Sequence, residues 1–385
     1  MIPYGRQSVS EEDIAAVVDV LRSDFLTQGS MVPRFEQTVA AYCGAGYGVA
    51  VNSGTSALHI ACLALGLSKD DWLWTSPITF VASANCALYC GAKADFVDID
   101  PRTYNLSPQA LEEKLQQAER DGCLPKIVVP VHYAGQPCDM EAIHGLGQHY
   151  GFKIIEDASH AVGAKFQGEA VGSGFYSDIT VFSFHPVKTI TTGEGGMALT
   201  NDPSLFKSMQ HFRSHGITST PSEMESRPVS EIWNYQQVGL GFNYRMTDIA
   251  AALGLSQMGR LDEFVAKRHS LAKRYDQLLA DLALRIPWQD LAAYSSYHLY
   301  PIRFNLKEIR NTQREIYADL RESGILVNLH YMPVYLQPYF QAMGFERGYC
   351  PEAEKYFSET LSMPIYPDLT EIQQDQVIET LQKML

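Results

Sequence analysis

No stretch of this 385-residue chain reaches the roughly 18 uninterrupted apolar residues that a membrane-spanning helix needs. The N-terminal segment MIPYGRQSVSEEDI has neither a basic nor an apolar signal region, so a cytoplasmic location is expected. Cys-x-x-Cys is absent, and the seven cysteines sit singly in apolar surroundings. Their odd number and spacing argue against a disulfide framework or a structural zinc site, and for a reducing compartment. No metal site is expected. Positive charge is also scarce: 30 Lys and Arg stand against 44 Asp and Glu, a formal charge of −14. Nucleic acid and anionic membrane surfaces are therefore excluded as main partners. Neither Gly-x-Gly-x-x-Gly nor a Walker lysine motif occurs, which weakens dinucleotide and nucleoside-triphosphate readings.

What remains is a chain with 46% hydrophobic and 19% charged residues, able to bury a large core. In its first two-thirds, short apolar runs alternate with helical patterns. Strands are expected at Gly48–Val51, Leu73–Thr75, Ala94–Asp98, Lys126–His132, Phe152–Glu156 and Thr180–Phe184. Helices are expected at Thr55–Leu67, Val81–Cys90, Pro108–Arg120 and Met140–Tyr150. Continuous apolar strands separated by helices predict a mostly parallel sheet covered on both faces. From about Met246 the pattern changes. A long helix over Asp248–Leu282 leads to a strand at Leu299–Asn305, a helix at Thr312–Ser323, a strand at Leu326–His330 and two terminal helices. The expectation is an α/β protein, with a large domain over 1–250 and a small α+β domain over 251–385. Ser219–Ser230 reads as a polar surface excursion.

Three segments could carry chemistry. Val51–Ala57 (VNSGTSA) runs from strand through a small-residue turn into a helix start, where free N–H groups and hydroxyls suit a phosphate. Ordinary N-capping by Ser or Thr explains the same residues. Ile154–His160 (IIEDASH) places Asp157 at the end of an apolar strand, where ligands collect in open α/β sheets, with His160 three residues on. A helix cap is the plain alternative for Asp157. Val181–Lys188 (VFSFHPVK) ends a strand in Ser183 and brings Lys188 into a loop of small residues. Burial there would depress the lysine pKa and make its amine a nucleophile, although a surface lysine is the commoner case.

Taken in order, a phosphate cup, a strand-end aspartate and a lysine form the parts of a pyridoxal-phosphate (PLP) site. With SPITFVASAN, PVHYAGQPCDM, EDASHAVG, FSFHPVKTITTGEGG, GFNYRMTDIAAALGLSQ and LHYMPVYLQPYF, the chain resembles the DegT/DnrJ/EryC1/StrS sugar aminotransferases along nearly its whole length. The resemblance implies fold type I, the aspartate-aminotransferase-like architecture, and the following roles. Lys188 would hold PLP and move protons, Asp157 would pair with the ring nitrogen, and His160 would contact the phenolic oxygen. Phe80 would stack on the ring, while Thr55, Ser56 and Ser183 hold the phosphate. Asn243 would reach the phosphate of a neighbouring subunit, which implies a homodimer with shared active sites. Tyr4, the turn Asp24, Phe25, Leu26 and Thr27, and the pair His330 and Tyr331 would contact the sugar.

SDFLTQG, SSYHLYPI and LHYMPVY are most similar to the members of pseudaminic acid biosynthesis. These imply L-glutamate as donor, 2-oxoglutarate as product, and a UDP-linked 4-keto-6-deoxy-N-acetyl-hexose as acceptor. Another UDP- or dTDP-linked keto-sugar is the enzymatic alternative, and a non-catalytic nucleotide-sugar-binding relative the other. Lys188 speaks against the dehydratases of this fold, which carry histidine there.

Overall fold

A computed structural model describes residues 1–228, 230–231 and 235–385. Its centre is a seven-stranded sheet: β1 (Tyr47–Val51), β2 (Trp72–Thr75), β3 (Lys93–Phe96), β4 (Ile127–Val129), β5 (Lys153–Asp157), β6 (Ile179–Ser183) and β7 (Gly196–Thr200). The spatial order is β1-β7-β6-β5-β4-β2-β3. Every pairing is parallel except those of β7, which runs antiparallel to β1 and β6. Buried runs such as VAV at 49–51 and IIED at 154–157 explain why the interior strands show no polar alternation: helices cover both faces.

Three of the four helices between the strands start on a side-chain cap; Ala82–Tyr89, preceded by Val81, does not. Ser53 accepts from Ser56 N, Ser107 from Ala110 N and Asp139 from Ala142 N, satisfying donors that the first helical turn leaves unpaired. The parallel strands point their C-terminal ends to one edge, which therefore gathers the turn after β1, Asp157 of β5 and Ser183 of β6. The register pairs Asp157 with Val181, so these two strands end side by side. Strand β7 begins at Gly196 because a Cβ there would lie 2.5 Å from the Ser53 carbonyl group, leaving no room for a side chain.

A second core gathers Tyr275, Tyr300, Ile302, Phe304, Ile316, Leu320, Leu361, Val377 and Ile378. It covers an antiparallel sheet of Leu284–Arg285, Tyr300–Phe304 and Thr360–Met363. The first residues also belong here: Ile2–Pro3 pairs in parallel with Ile325–Leu326, and Ile2 is buried in this core. Arg268 is fully buried and donates to the carbonyls of Tyr297, His298 and Ile365 at 3.1, 3.2 and 3.0 Å. One guanidinium thus ties two segments of the second core together, and burial pushes it down to about 10.

Two expectations need correction. The helix expected over Asp248–Leu282 is two helices, Asp248–Met258 and Leu261–Leu278, interrupted at Gly259–Arg260, where the Arg260 backbone leaves helical geometry. The strand expected over Leu326–His330 shrinks to Ile325–Leu326, with a lone bridge from Asn328 to Ser362, because the segment turns away to line a cavity. Strands β7 and Thr360–Met363 are additions. The excursion at 219–230 is framed by pairing of Ile217–Thr218 with Gln236–Gln237, and Val229 lies outside the described residues. Among the described residues, no helix is long and apolar enough to cross a membrane.

Asp248 fixes the entry to the helix Met31–Cys43. Its carboxylate accepts from Gly29 N at 2.6 Å, Met31 N at 2.8 Å and Val32 N at 3.1 Å, and its own N–H donates to Leu26 O. Asp248→Ala leaves these donors without their charged acceptor, a loss of about 1–3 kcal/mol. A lower urea midpoint than wild type is expected, and an unchanged midpoint refutes the anchoring role.

Candidate active site

The C-terminal edge of the sheet opens into a cavity of about 960 Å³, closed on its far side by the segment 328–337 and by the N-terminal strap at Tyr4. Its floor begins at the cup between β1 and the helix Gly54–Ala64. Among the described residues, the N–H groups of Gly54 and Thr55 have no hydrogen-bond acceptor. Ser56 is held by its neighbours: its N–H donates to Ser53 Oγ at 3.1 Å and its hydroxyl to Asn52 Oδ1 at 2.7 Å. Ser183, at the end of β6, lines the same corner. Open N–H groups at a helix start and several hydroxyls make this corner an anion cup.

Asp157 lies across the cavity floor and is buried. Ser83 Oγ donates to Asp157 Oδ2 at 2.6 Å and Ser159 N to Oδ1 at 3.1 Å, so both carboxylate oxygens are oriented. Behind it, His132 Nδ1 accepts from Cys138 N at 3.0 Å, which leaves the ring proton on Nε2 to donate to Glu156 Oε2 at 2.6 Å. Ser177 and Thr180 also donate to Glu156. Burial would raise the Glu156 carboxyl, but His132 leads these donors in holding it below its ordinary value.

Lys188 follows five residues after Ser183 and lines the cavity. Its loop is closed by Lys188 N donating to His185 O at 2.9 Å and Thr192 N to Phe184 O at 3.0 Å. Among the described residues, its amine has no hydrogen-bond or ion-pair partner. Burial pushes it down to about 8, against the upward pull of Asp157. At neutral pH it is therefore partly in the free-amine form that a nucleophile or proton acceptor requires.

His160 also lines the cavity. Its Nε2 lies 3.3 Å from the Tyr331 hydroxyl, while its buried Nδ1 has no partner. Its ring packs 4.4 Å from His298. Burial holds both imidazoles well below their ordinary pKa, so they stand neutral beside Lys188. Phe80 is 60% exposed although it forms part of the wall, so its ring is free to receive a flat ligand.

The structure thus gathers Tyr4, Thr55, Ser56, Phe80, Asp157, His160, Ser183, Lys188, His330 and Tyr331 around one cavity. It does not bring Asp24, Phe25, Leu26, Thr27 or Asn243 into the cavity of their own chain. All five are exposed, and Asn243 pairs through its backbone with Ser214. Sequence reasoning missed Ser83, His298 and Asn328. Ser83 stands one helical turn beyond Phe80, and Asn328 alternates with His330, which places both on one face of an extended segment. Nothing local marks His298.

Residues 7–382 match the DegT/DnrJ/EryC1/StrS aminotransferase family. The chain belongs to this family. It is 35% identical to the spore coat polysaccharide biosynthesis protein SpsC of Bacillus subtilis over 387 residues, covering 100% of this chain and 97% of that one. Among solved structures it resembles Helicobacter pylori PseC, an aminotransferase of pseudaminic acid biosynthesis. There the TM-score is 0.89 and the identity 30%, covering 100% of this chain and 98% of that one. Spr1654 of Streptococcus pneumoniae, solved in its PLP form, matches with a TM-score of 0.89 and 28% identity over 100% and 99% of the two chains. The protein is a PLP-dependent sugar aminotransferase of fold type I.

The donor set fits that cofactor. Open N–H groups meet a phosphate, an oriented carboxylate meets a ring nitrogen, an unpaired amine meets an aldehyde, and the orphaned His160 Nδ1 remains for a further polar atom. Among the described residues, no cluster of His, Cys, Asp and Glu could hold a metal ion.

In the apoenzyme, ¹³C-methylated Lys188, assigned by its loss in Lys188→Arg, is expected to titrate near 8. Asp157→Asn removes the opposing attraction and moves that midpoint lower. A wild-type midpoint at the ordinary lysine value refutes the burial argument.

Proposed function

We propose that the protein moves an amino group from L-glutamate to C4 of a UDP-linked 4-keto-6-deoxy-N-acetyl-hexose, in the cytoplasmic steps of pseudaminic acid biosynthesis. The observation that carries this reading is one cavity holding the Lys188 amine, the oriented Asp157 carboxylate and the cup at 54–56, in a chain similar throughout its length to PseC.

PLP, when bound, supplies a conjugated ring that draws electrons from the carbon carrying the nitrogen. The protein's own residues do the rest. Thr55, Ser56, Ser183 and the N–H groups at the helix start hold the phosphate. Asp157, set by Ser83 and Ser159, accepts from the ring nitrogen and keeps it protonated. Phe80 covers one ring face, and His160 offers a neutral ring nitrogen to the phenolic oxygen. Lys188 takes a proton from one carbon and returns it to another, and a pKa near neutrality suits both directions. Tyr4, His330 and Tyr331 form the wall that meets the sugar.

The acceptor is tested by single-turnover reaction of the aminated cofactor form with a panel of UDP- and dTDP-linked 4-keto sugars. Fastest return of the PLP absorbance with the UDP-linked 4-keto-6-deoxy-N-acetyl sugar is expected. A dTDP-linked or non-acetylated sugar that reacts at least tenfold faster replaces this assignment with the alternative one.

Exposure of Asn243 and of the turn 24–27 outside their own cavity supports a homodimer in which they complete the partner's site. A carboxylate in place of Asn243 would repel a phosphate at close range. Mixing Lys188→Ala with Asn243→Asp subunits then puts both lesions in one site and leaves the other intact. About half of wild-type activity per mixed dimer is expected, and mixed dimers no more active than either parent refute the shared site.

A further inference from the structure

We propose that Asn328 is the side chain through which the cavity wall reads an oxygen atom of the acceptor sugar nucleotide, with His330 as its positioning residue in a hydrogen-bonded chain Ser362–His330–Asn328. This rests on the reading of the cavity as a nucleotide-sugar site. It reassigns the polar contact that the resemblance gave to His330.

The proton positions follow from partners that have only one possible role. Leu329 N lies 2.9 Å from one side-chain atom of Asn328 and can only donate, so that atom is Oδ1. The other atom is therefore Nδ2, which faces His330 Nε2 at 3.2 Å. An amide nitrogen can only donate, so His330 Nε2 carries no proton. A neutral imidazole then holds its proton on Nδ1, which donates to Ser362 Oγ at 2.8 Å. Burial keeps the ring neutral, with the nearby Lys188 amine adding to the effect, and pushes its pKa to about 3.

The ring is fixed as well as its tautomer. Tyr133 Oη donates to the His330 carbonyl at 2.8 Å, and the rings of Tyr4 and Tyr331 pack at 5.1 and 4.8 Å. Both His330 nitrogens are consumed inside the protein, so the residue has no ring nitrogen left for a ligand. Asn328 differs. It lines the cavity and is half-buried, and only one of its two amide hydrogens is spent on His330. The second is spent on neither His330 nor Leu329, and Asn328 shares the wall with Tyr4. With its amide plane fixed by Leu329 and His330, Asn328 presents a donor of fixed direction, matched to a carbonyl, hydroxyl or phosphate oxygen of the sugar nucleotide.

The test has two arms. In ¹⁵N-histidine-labelled apoenzyme, with no substrate or cofactor, His330 should show a protonated Nδ1 and an unprotonated Nε2. Asn328→Asp, whose carboxylate can only accept, should protonate Nε2. In the loaded enzyme, Asn328→Ala should raise KM for the best acceptor of the panel about tenfold, the worth of one hydrogen bond at about 1.4 kcal/mol. The half-reaction with glutamate should slow less than twofold and the cofactor absorbance should stay at its wild-type value, although the melting temperature falls because Leu329 N and His330 Nε2 lose their partner. A protonated Nε2 in the wild type, or no change in the Asp variant, overturns the chain of hydrogen bonds. An unchanged acceptor KM, or equal slowing of both half-reactions, overturns the role of Asn328. Failure of the nucleotide-sugar reading itself would show separately, in the wild-type panel, and would leave the nitrogen assignments standing.

Discussion

Everything at this site depends on keeping one amine out of water next to one carboxylate. Lys188 sits where burial disfavours its charge and pushes it down to about 8, and Asp157 supplies the opposing attraction. That balance requires Asp157 to stay at a fixed place on the cavity floor. The sheet provides the place: β5 and β6 pair in register up to Asp157 and Val181, and the loop after β6 returns Lys188 to the same edge. Ser83 and Ser159 fix the carboxylate plane, and the buried His132–Glu156 pair stiffens the strand end beneath it.

The far wall is built on different physics. The floor is made of strand ends and a helix start in the first core, whereas the segment 328–337 runs from a bridge between Asn328 and Ser362 of the second sheet into the first core, where Val334, Tyr335 and Leu336 are buried. Tyr133 and Tyr356 hold the His330 carbonyl, and Ser362 of the second sheet holds its ring. Ser296 Oγ donates to the His160 carbonyl at 2.6 Å, joining the second core to the cofactor-facing side. Side-chain hydrogen bonds across the junction, together with the seating of Val334, Tyr335 and Leu336 in the first core, therefore set the cavity's width.

Much of this was legible in the sequence wherever a single local rule applied. Apolar runs ending in small or acidic residues marked the ends of β1, β5 and β6, which placed Thr55, Asp157 and Lys188 near one another. Local rules fail where distant segments decide the outcome. Gly196–Thr200 reads as the tail of a glycine loop, and only pairing with β1 and β6 on both sides makes it a strand. Leu326–His330 carries strand-like alternation, yet a single bridge is all the pairing it keeps beyond Leu326. Ser83 matters through a carboxylate 74 residues away, and His298 through a ring 138 residues away, which no spacing rule reaches.

The tight fit at Gly196 has a further consequence. A strand start with no room for a methyl group, pressed against a turn whose N–H groups must stay open, makes the cup a region of almost no substitutional freedom. The segment opposite is held by its backbone at Asn328 and Val334, and its side chains at 328, 332 and 337 line the cavity. Variation in acceptor choice can therefore accumulate on one wall while the chemistry on the other is left untouched. A mutational library aimed at new acceptors belongs on that outer wall.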